Sequence, residues 1–375
     1  MASRIDAVAA GVTCVDIAPK FSNDPSVTIR ELFRPSSTIL TGKLTITPGG
    51  SASNTGLGLC RLGCRTRIMG RIGRDELGDL LLRKLEPYTD TSSFQRVDDQ
   101  GTSYSLVIAP EGIDRFFIHS PGANTTYTSG SIDYGLVKEA RLFHFGYLPV
   151  MESMCEDHGR EAVSMYRRVH EGGTATSMDA CMPDVTRRIP DGYWTDILKR
   201  VLPYVDLFEP SVEELCFMIS PERYRTLKEK GGKRGVVGAI DWAEIESYAD
   251  LMLKLGAGVV LVKCGTKGMF LKAGGRERLE KAGASLREIL YGWEEKKVIQ
   301  KCFRPDRFVN SNGAGDVSIA SFLTAALRGF PAEKAVSCAA AAGAECCESG
   351  DPTGALTDFD TLLTRMERGW QPADY

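Results

Sequence analysis

Apolar and polar positions follow different rhythms along this chain, and the changes of rhythm divide it. Ile5 to Asp16 is an almost unbroken apolar run with Gly11 and Asp16 near its end, as expected of a strand buried on both faces. From Ser26 to Thr47 the segments SVTIRELF and STILTGKLTI are short and half-polar, which predicts strands exposed on one face. TSYSLVIAP, a turn through Pro110-Glu111-Gly112, and IDRFFIHS predict a second such pair. From Arg141 onward strand and helix patterns alternate. RLFHFG, GTATSMD, YVDLFEPS, VVLVKCG and MFLK read as strands, and Met151 to His170, VEELCFMI and DWAEIESYADLMLKLG as helices. This alternation predicts parallel βαβ units.

Ligands of open α/β sheets bind beyond the C-terminal ends of the strands. Asp16 is therefore placed to bond a polar substrate, although an Asp that merely turns a loop also fits. His144, on an alternating strand, reads as a core histidine. Two stretches fall outside the alternation. RYRTLKEKGGKRGVV, between Pro221 and Gly238, reads as a solvated basic loop or a phosphate-steering patch, and residues 274–305 form a charged insertion of unassigned role.

The chain is organised around Asn310-Ser311-Asn312-Gly313-Ala314-Gly315-Asp316, which runs directly into VSIASFLTAALRG. Ile319, Ala320, Leu323, Ala326 and Leu327 recur at helical spacing and Gly329 supplies the stop. The small residues thus lie where a loop enters a helix. Unpaired N–H groups and about half a positive charge make such an end an anion site. A carboxylate there would repel a resting phosphate. Asp316 makes sense if the anion is in transfer and the carboxylate takes a proton from the attacking hydroxyl. The alternative is an Asp capping an ordinary helix.

A second Gly-rich entry, Gly49-Gly50-Ser51-Ala52-Ser53-Asn54-Thr55-Gly56, opens another helix that ends near Gly63. The stretch from Gly49 through Asn54 and Gly63 to Gly73, paired with the run Asn310–Asp316, closely resembles the two signatures of the ribokinase-like (PfkB-type) sugar kinase family. The resemblance spans nearly the whole chain. It implies a ribokinase-like three-layer α/β/α domain over residues 1–375 with a mostly parallel central sheet. A small β-sheet lid would come from segments about 22–48 and 98–123, with Pro121 to Asn124 as the return to the main domain.

The resemblance further implies ATP-dependent transfer of a phosphoryl group to an alcohol of a sugar or sugar-like molecule. Asp316 would be the base, and the backbone of Gly313, Ala314 and Gly315 would stabilise the moving charge. Asp16, Gly49, Gly50, Asn54 and Asn124 would hold the acceptor. Gly265, Thr266, Gly268, Ser211 and Asn312 would lie near ATP, with AVSCAAAAGAEC beside the adenine. Glu214 would orient Mg2+. A lid of this kind excludes water during phosphoryl transfer, and its free edges suggest a homodimer joined lid to lid.

Three positions depart from the family pattern. Ser211 replaces an Asn, Ser321 replaces Ala or Gly, and Asn310 stands where an Asp commonly adjoins a monovalent-cation site, which leaves activation by K+ open. A nucleoside kinase of the same fold, or a catalytically silent binding protein, shares these features.

Composition narrows the classes. The 375 residues are 43% hydrophobic and 25% charged, with a net charge of −3, which suits a globular protein and gives no reason to expect nucleic acid or anionic membrane as partner. No apolar run approaches the ~20 residues of a membrane helix. Eleven cysteines, with no CxxC pair, argue for reduced thiols and a cytoplasmic setting. There is no GxxxxGK[ST] loop, no GxGxxG after the first strand, no HExxH and no GxSxG.

Overall fold

The computed structural model describes residues 5–113, 116–186 and 189–373. Its strands are β1 (Ile5–Gly11), β2 (Cys14–Pro19), β3 (Leu44–Gly49), β4 (Thr66–Met69), β5 (Arg71–Gly73), β6 (Gln95–Val97), β7 (Tyr104–Ile108), β8 (Phe116–Ser120), β9 (Ala140–Gly146), β10 (Ala175–Met178), β11 (Leu207–Phe208), β12 (Val259–Lys263), β13 (Met269–Ala273) and β14 (Lys297–Gln300). Eight of them form one sheet in the order β14-β13-β12-β11-β10-β9-β1-β4. Pairing is parallel from β4 to β12 and antiparallel at β13 and β14.

Successive side chains of a strand face opposite ways, and this period sorts the core into two layers. Val8, Ala10, Phe143, Phe145, Val260 and Val262 pack on one face with the helices Glu152–Glu171, Tyr193–Val201, Val212–Ile219 and Trp242–Lys254. Ala7, Leu142, Val259 and Leu261 pack on the other, against Ala314–Leu327, Ala332–Cys346 and Phe359–Glu367. The result is a three-layer α/β/α arrangement. Above one end of it lies a four-stranded sheet in the order β3-β2-β7-β8, with β2 and β7 parallel and the outer pairs antiparallel.

Several expectations are corrected. Ile5 to Asp16 is not one strand: β1 stops at Gly11, whose φ of +123° turns the chain, and β2 restarts at Cys14 in the small sheet. Asp16 therefore belongs to the lid rather than to the end of a central strand. SVTIRELF holds a helical turn at Ile29–Leu32, because Thr28 and Glu31 form a reciprocal capping box. STILTGKLTI supplies only the start of β3. Residues Pro221–Gly231 form a helix rather than a loop, capped by Ser220, started by Pro221 and anchored by buried Tyr224 and Leu227. The insertion 274–305 holds the helices Arg276–Leu279 and Ala284–Tyr291, then the edge strand β14; buried Leu279, Leu286, Leu290 and Trp293 tie it to the second core layer. The helix Glu152–Glu171 is interrupted where Asp157, His158 and Gly159 take positive φ. The hairpin β7–β8 forms as expected; Asp114 and Arg115 near its tip lie outside the described residues.

Candidate active site

A cavity of about 930 Å3 lies between the lid and the C-terminal ends of the central strands. Near its middle the helix Ala314–Leu327 begins. Gly313 precedes it at φ +75°, and no side chain caps its first turn. A Cβ at Gly313 would sit 2.5 Å from Pro352 Cβ, so the left-handed turn and the close packing both require glycine.

Asp316, in that first turn, is 3% exposed. Its Oδ2 accepts the Asn54 amide at 2.9 Å and the Tyr147 hydroxyl at 3.1 Å. Its Oδ1 has no hydrogen-bond partner. The carboxylate does not cap its own helix. Burial raises its pKa above the ordinary 3.8, an effect partly offset by Asn54, Lys263 and Tyr147 and reinforced by the charge of Asp16. A buried carboxylate with one oxygen held and one free is suited to accept a proton.

Asn54 sits in the first turn of the helix Ser51–Arg61. Its amide nitrogen is committed to the Asp316 carboxylate, a contact that the expected role in holding the acceptor did not include. Gly50 lines the cavity. Gly49 does not, but a Cβ there would lie 2.4 Å from the Asp16 carboxyl, so its role is to let that side chain pass. Asp16 is 8% exposed and accepts a bond from the Cys14 thiol at 3.4 Å. Burial raises its pKa, partly offset by Cys14 and Ser105. Asn124, expected to hold the acceptor, is not among the residues that line the cavity: both ends of its buried amide bond the backbone of Thr13, at 3.0 and 3.4 Å. It clasps the crossing from β1 to β2.

Gly265, Thr266, Gly268, Ser211, Glu214, Asn312, Gly313, Ala314 and Gly315 all line the cavity. Ser211 and Glu214 form a capping box on the helix Val212–Ile219: Ser211 Oγ accepts from the Glu214 amide at 3.2 Å, and Glu214 Oε2 accepts from the Ser211 amide at 2.6 Å. The Asn312 amide donates to Asn310 Oδ1 at 2.8 Å. Among the described residues no three His, Cys, Asp or Glu side chains are placed to hold a metal ion by themselves.

The site also contains groups that the sequence reading missed. Tyr147 follows β9 in a left-handed conformation, φ +64°, uncommon for a non-glycine residue. Lys263, the last residue of β12, donates to Asp179 Oδ1 at 2.5 Å and to the Glu209 carbonyl at 2.6 Å. Its Nζ lies 4.0 Å from where a Cβ of Gly315 would stand. Burial alone would lower its proton affinity, but the carboxyl groups of Asp179, Glu214 and Asp316 outweigh that and keep it an ammonium. Tyr147, Asp179 and Lys263 each sit at or just past the C-terminal end of a parallel central strand, and that position was the available signal. His144 is a core histidine as expected, bonded through Nδ1 to Ser177 at 2.7 Å and kept neutral by burial, its pKa lowered to about 3.

Comparison with known proteins agrees with this geometry. Residues 10–358 match the model of the pfkB family carbohydrate kinases. A protein of Archaeoglobus fulgidus described as an uncharacterized sugar kinase is 25% identical over 265 residues, covering 68% of this chain and 92% of that one. An Arabidopsis thaliana ribokinase complexed with ribose and ATP superposes with a TM-score of 0.70 at 20% identity, covering 96% and 98% of the two chains. A chain of the same fold from E. coli, in complex with ATP and Mg2+, gives a TM-score of 0.67 at 20% identity over 97% and 99%. Reaching from β1 to the last helix, the family match leaves little of the sequence outside it: the chain belongs to the pfkB family of carbohydrate kinases.

Proposed function

We propose that this kinase transfers the γ-phosphate of ATP to a hydroxyl of a sugar or sugar-like molecule, with Asp316 as general base. The observation that carries this reading is the buried, unpartnered Oδ1 of Asp316 beside an uncapped helix N-terminus. Asn54 and Tyr147 hold Oδ2 and so fix the direction of Oδ1. The acceptor's hydroxyl proton passes to Oδ1 while its oxygen bonds to the γ-phosphorus. The bond from that phosphorus to the β,γ-bridging oxygen breaks, and ADP leaves with the electron pair. Charge on the moving phosphoryl group meets the backbone N–H groups at Gly313 to Gly315 and the Lys263 ammonium.

ATP occupies the end of the cavity formed by Gly265, Thr266, Gly268, Ser211 and Asn312, with Ala340, Gly343 and Ala344 of the small-residue helix beside the adenine. Mg2+ keeps several waters and needs only one or two protein carboxylates besides the phosphates, and Glu214, with one oxygen tied in its cap, fits that role. When bound, the ion neutralises phosphate charge.

The same reading extends to the assembly and its setting. Edge strands β3 and β8 expose Leu44 and Ile118, at 50% and 53%, which supports a homodimer that covers the lid edges. Eleven free thiols support a cytoplasmic setting, and among the described residues no helix is long and apolar enough to cross a membrane. Release of ADP from MgATP, dependent on an added sugar, tests the reaction; no release with any sugar would contradict it.

A further inference from the structure

Charge is distributed unevenly along the cavity. Among the described residues, four carboxyl groups line it, those of Asp16, Asp179, Glu214 and Asp316, against the single ammonium of Lys263. That ammonium is committed. It bonds Asp179 and the Glu209 carbonyl and stands next to Gly315, at the helix end where the phosphoryl group is transferred.

The lid end is built differently. Asp16 of β2, Ser105 of β7 and His119 of β8 lie opposite one another in register across three strands, so one face carries all three. Ser105 Oγ and His119 Nδ1 are 3.0 Å apart. The protein around His119 lowers its proton affinity below the ordinary 6.5 although the ring still reaches solvent, so it is neutral near pH 7. Phe117, two residues before His119, adds an aromatic wall. This end therefore offers one carboxylate, one hydroxyl, one neutral imidazole and one ring face, with no cation among the described residues.

An anionic acceptor bound here would bring its charge between the buried carboxyl groups of Asp16 and Asp316, with no cation among the described residues of this end to neutralise it. We propose that the acceptor is an uncharged polyhydroxylated molecule, and that sugar acids and sugar phosphates are rejected by charge. The inference rests on the kinase reading above and narrows its substrate class. Asp16 accepts bonds from adjacent hydroxyls, Ser105 and His119 serve a further one, and Phe117 covers the C–H face of the ring.

The test pits neutral against anionic acceptors on the full chain with MgATP: D-fructose, D-ribose and adenosine against D-gluconate, D-galacturonate and a hexose phosphate. ADP release should give the best neutral compound a kcat/KM at least ~100-fold above the best anionic one, since uncompensated like charges cost several kcal/mol. A second arm places a cation on the lid. His119 is exposed, so His119→Arg folds, and it should narrow that ratio roughly tenfold. The ligand-induced rise in Tm reads the same ranking without turnover, which separates this inference from the kinase reading. Preference for gluconate, galacturonate or the hexose phosphate, in turnover or in Tm, overturns the neutral-acceptor proposal while leaving the kinase intact. A ratio unmoved by His119→Arg overturns the assignment of the lid face as the discriminating surface.

Discussion

The amide of Asn54 and the carboxylate of Asp316 stand 2.9 Å apart although 262 positions separate them in sequence. The two Gly-rich helix entries thus meet through these side chains, one supplying the carboxylate and the other holding one of its oxygens. An amide donor favours the charged form of a carboxylate, so Asn54 keeps the pKa of Asp316 lower than burial alone would set it. Removing that donor should raise it. Asn54→Ala should move the acid limb of the kcat/KM profile to higher pH and cut kcat roughly tenfold, the effect of about 1–2 kcal/mol of lost bonding. An unmoved limb with only a raised acceptor KM would mean that Asn54 serves the acceptor alone.

Lys263 makes a second prediction. Breaking a buried ion pair by removing one partner costs about 3–5 kcal/mol, because the other charge is left unpaired. Lys263→Met should lower Tm, and Lys263→Met combined with Asp179→Leu should recover most of it. Neither variant should recover turnover, because both lack the ammonium proposed to meet the moving phosphoryl group. Near-parental turnover in the stable double variant would make Lys263 purely structural.

Asp16 tests the acceptor end. Losing a hydrogen-bonding partner of a buried group costs about 1–3 kcal/mol, so Asp16→Ala should raise the acceptor KM about tenfold or more and leave the KM of ATP near its parental value. Equal changes in both would show that Asp16 supports the lid rather than the substrate.

The lid edges test the assembly. Light scattering at micromolar concentration should give a dimer for the parent chain and a monomer for Leu44→Lys combined with Ile118→Lys, because a charge on each exposed edge disfavours pairing. A fully active monomeric parent would contradict the proposed dimer.

How much of this was legible in the sequence depends on how local the cause is. Gly49, Gly50 and Gly313 can be read because close approach of other atoms, which excludes a Cβ, leaves its mark in the sequence itself. The alternation after Arg141 gave the parallel sheet and its covering helices for the same reason. The break between β1 and β2 could not be read. AVAAGVTCV is almost wholly apolar, since the residues on both sides of the break are buried, and Gly11, which makes the turn, does not interrupt that pattern. Asp16 belongs to the lid, whereas Tyr147, Asp179 and Lys263 lie at or just past strand ends and line the cavity. The helix Pro221–Gly231 was hidden by its charge: a basic surface masks the two buried residues, Tyr224 and Leu227, that anchor it. The partner of Asn124, the backbone of Thr13, is 111 positions away and cannot be inferred from its neighbours.

If Asp316 takes the acceptor's proton, Asp316→Asn removes that step and little else. The substitution keeps the size of the side chain and removes the base from a site where burial already disfavours charge, so the variant should fold. The measurement is kcat for ADP release with the best acceptor, made on the purified, folded variant and the parent at the same pH. The variant's kcat should fall by roughly 10²–10⁴, with the KM of ATP unchanged or improved, since a negative charge facing the phosphates is gone. Turnover within about threefold of the parent, well short of a general-base contribution, would contradict it.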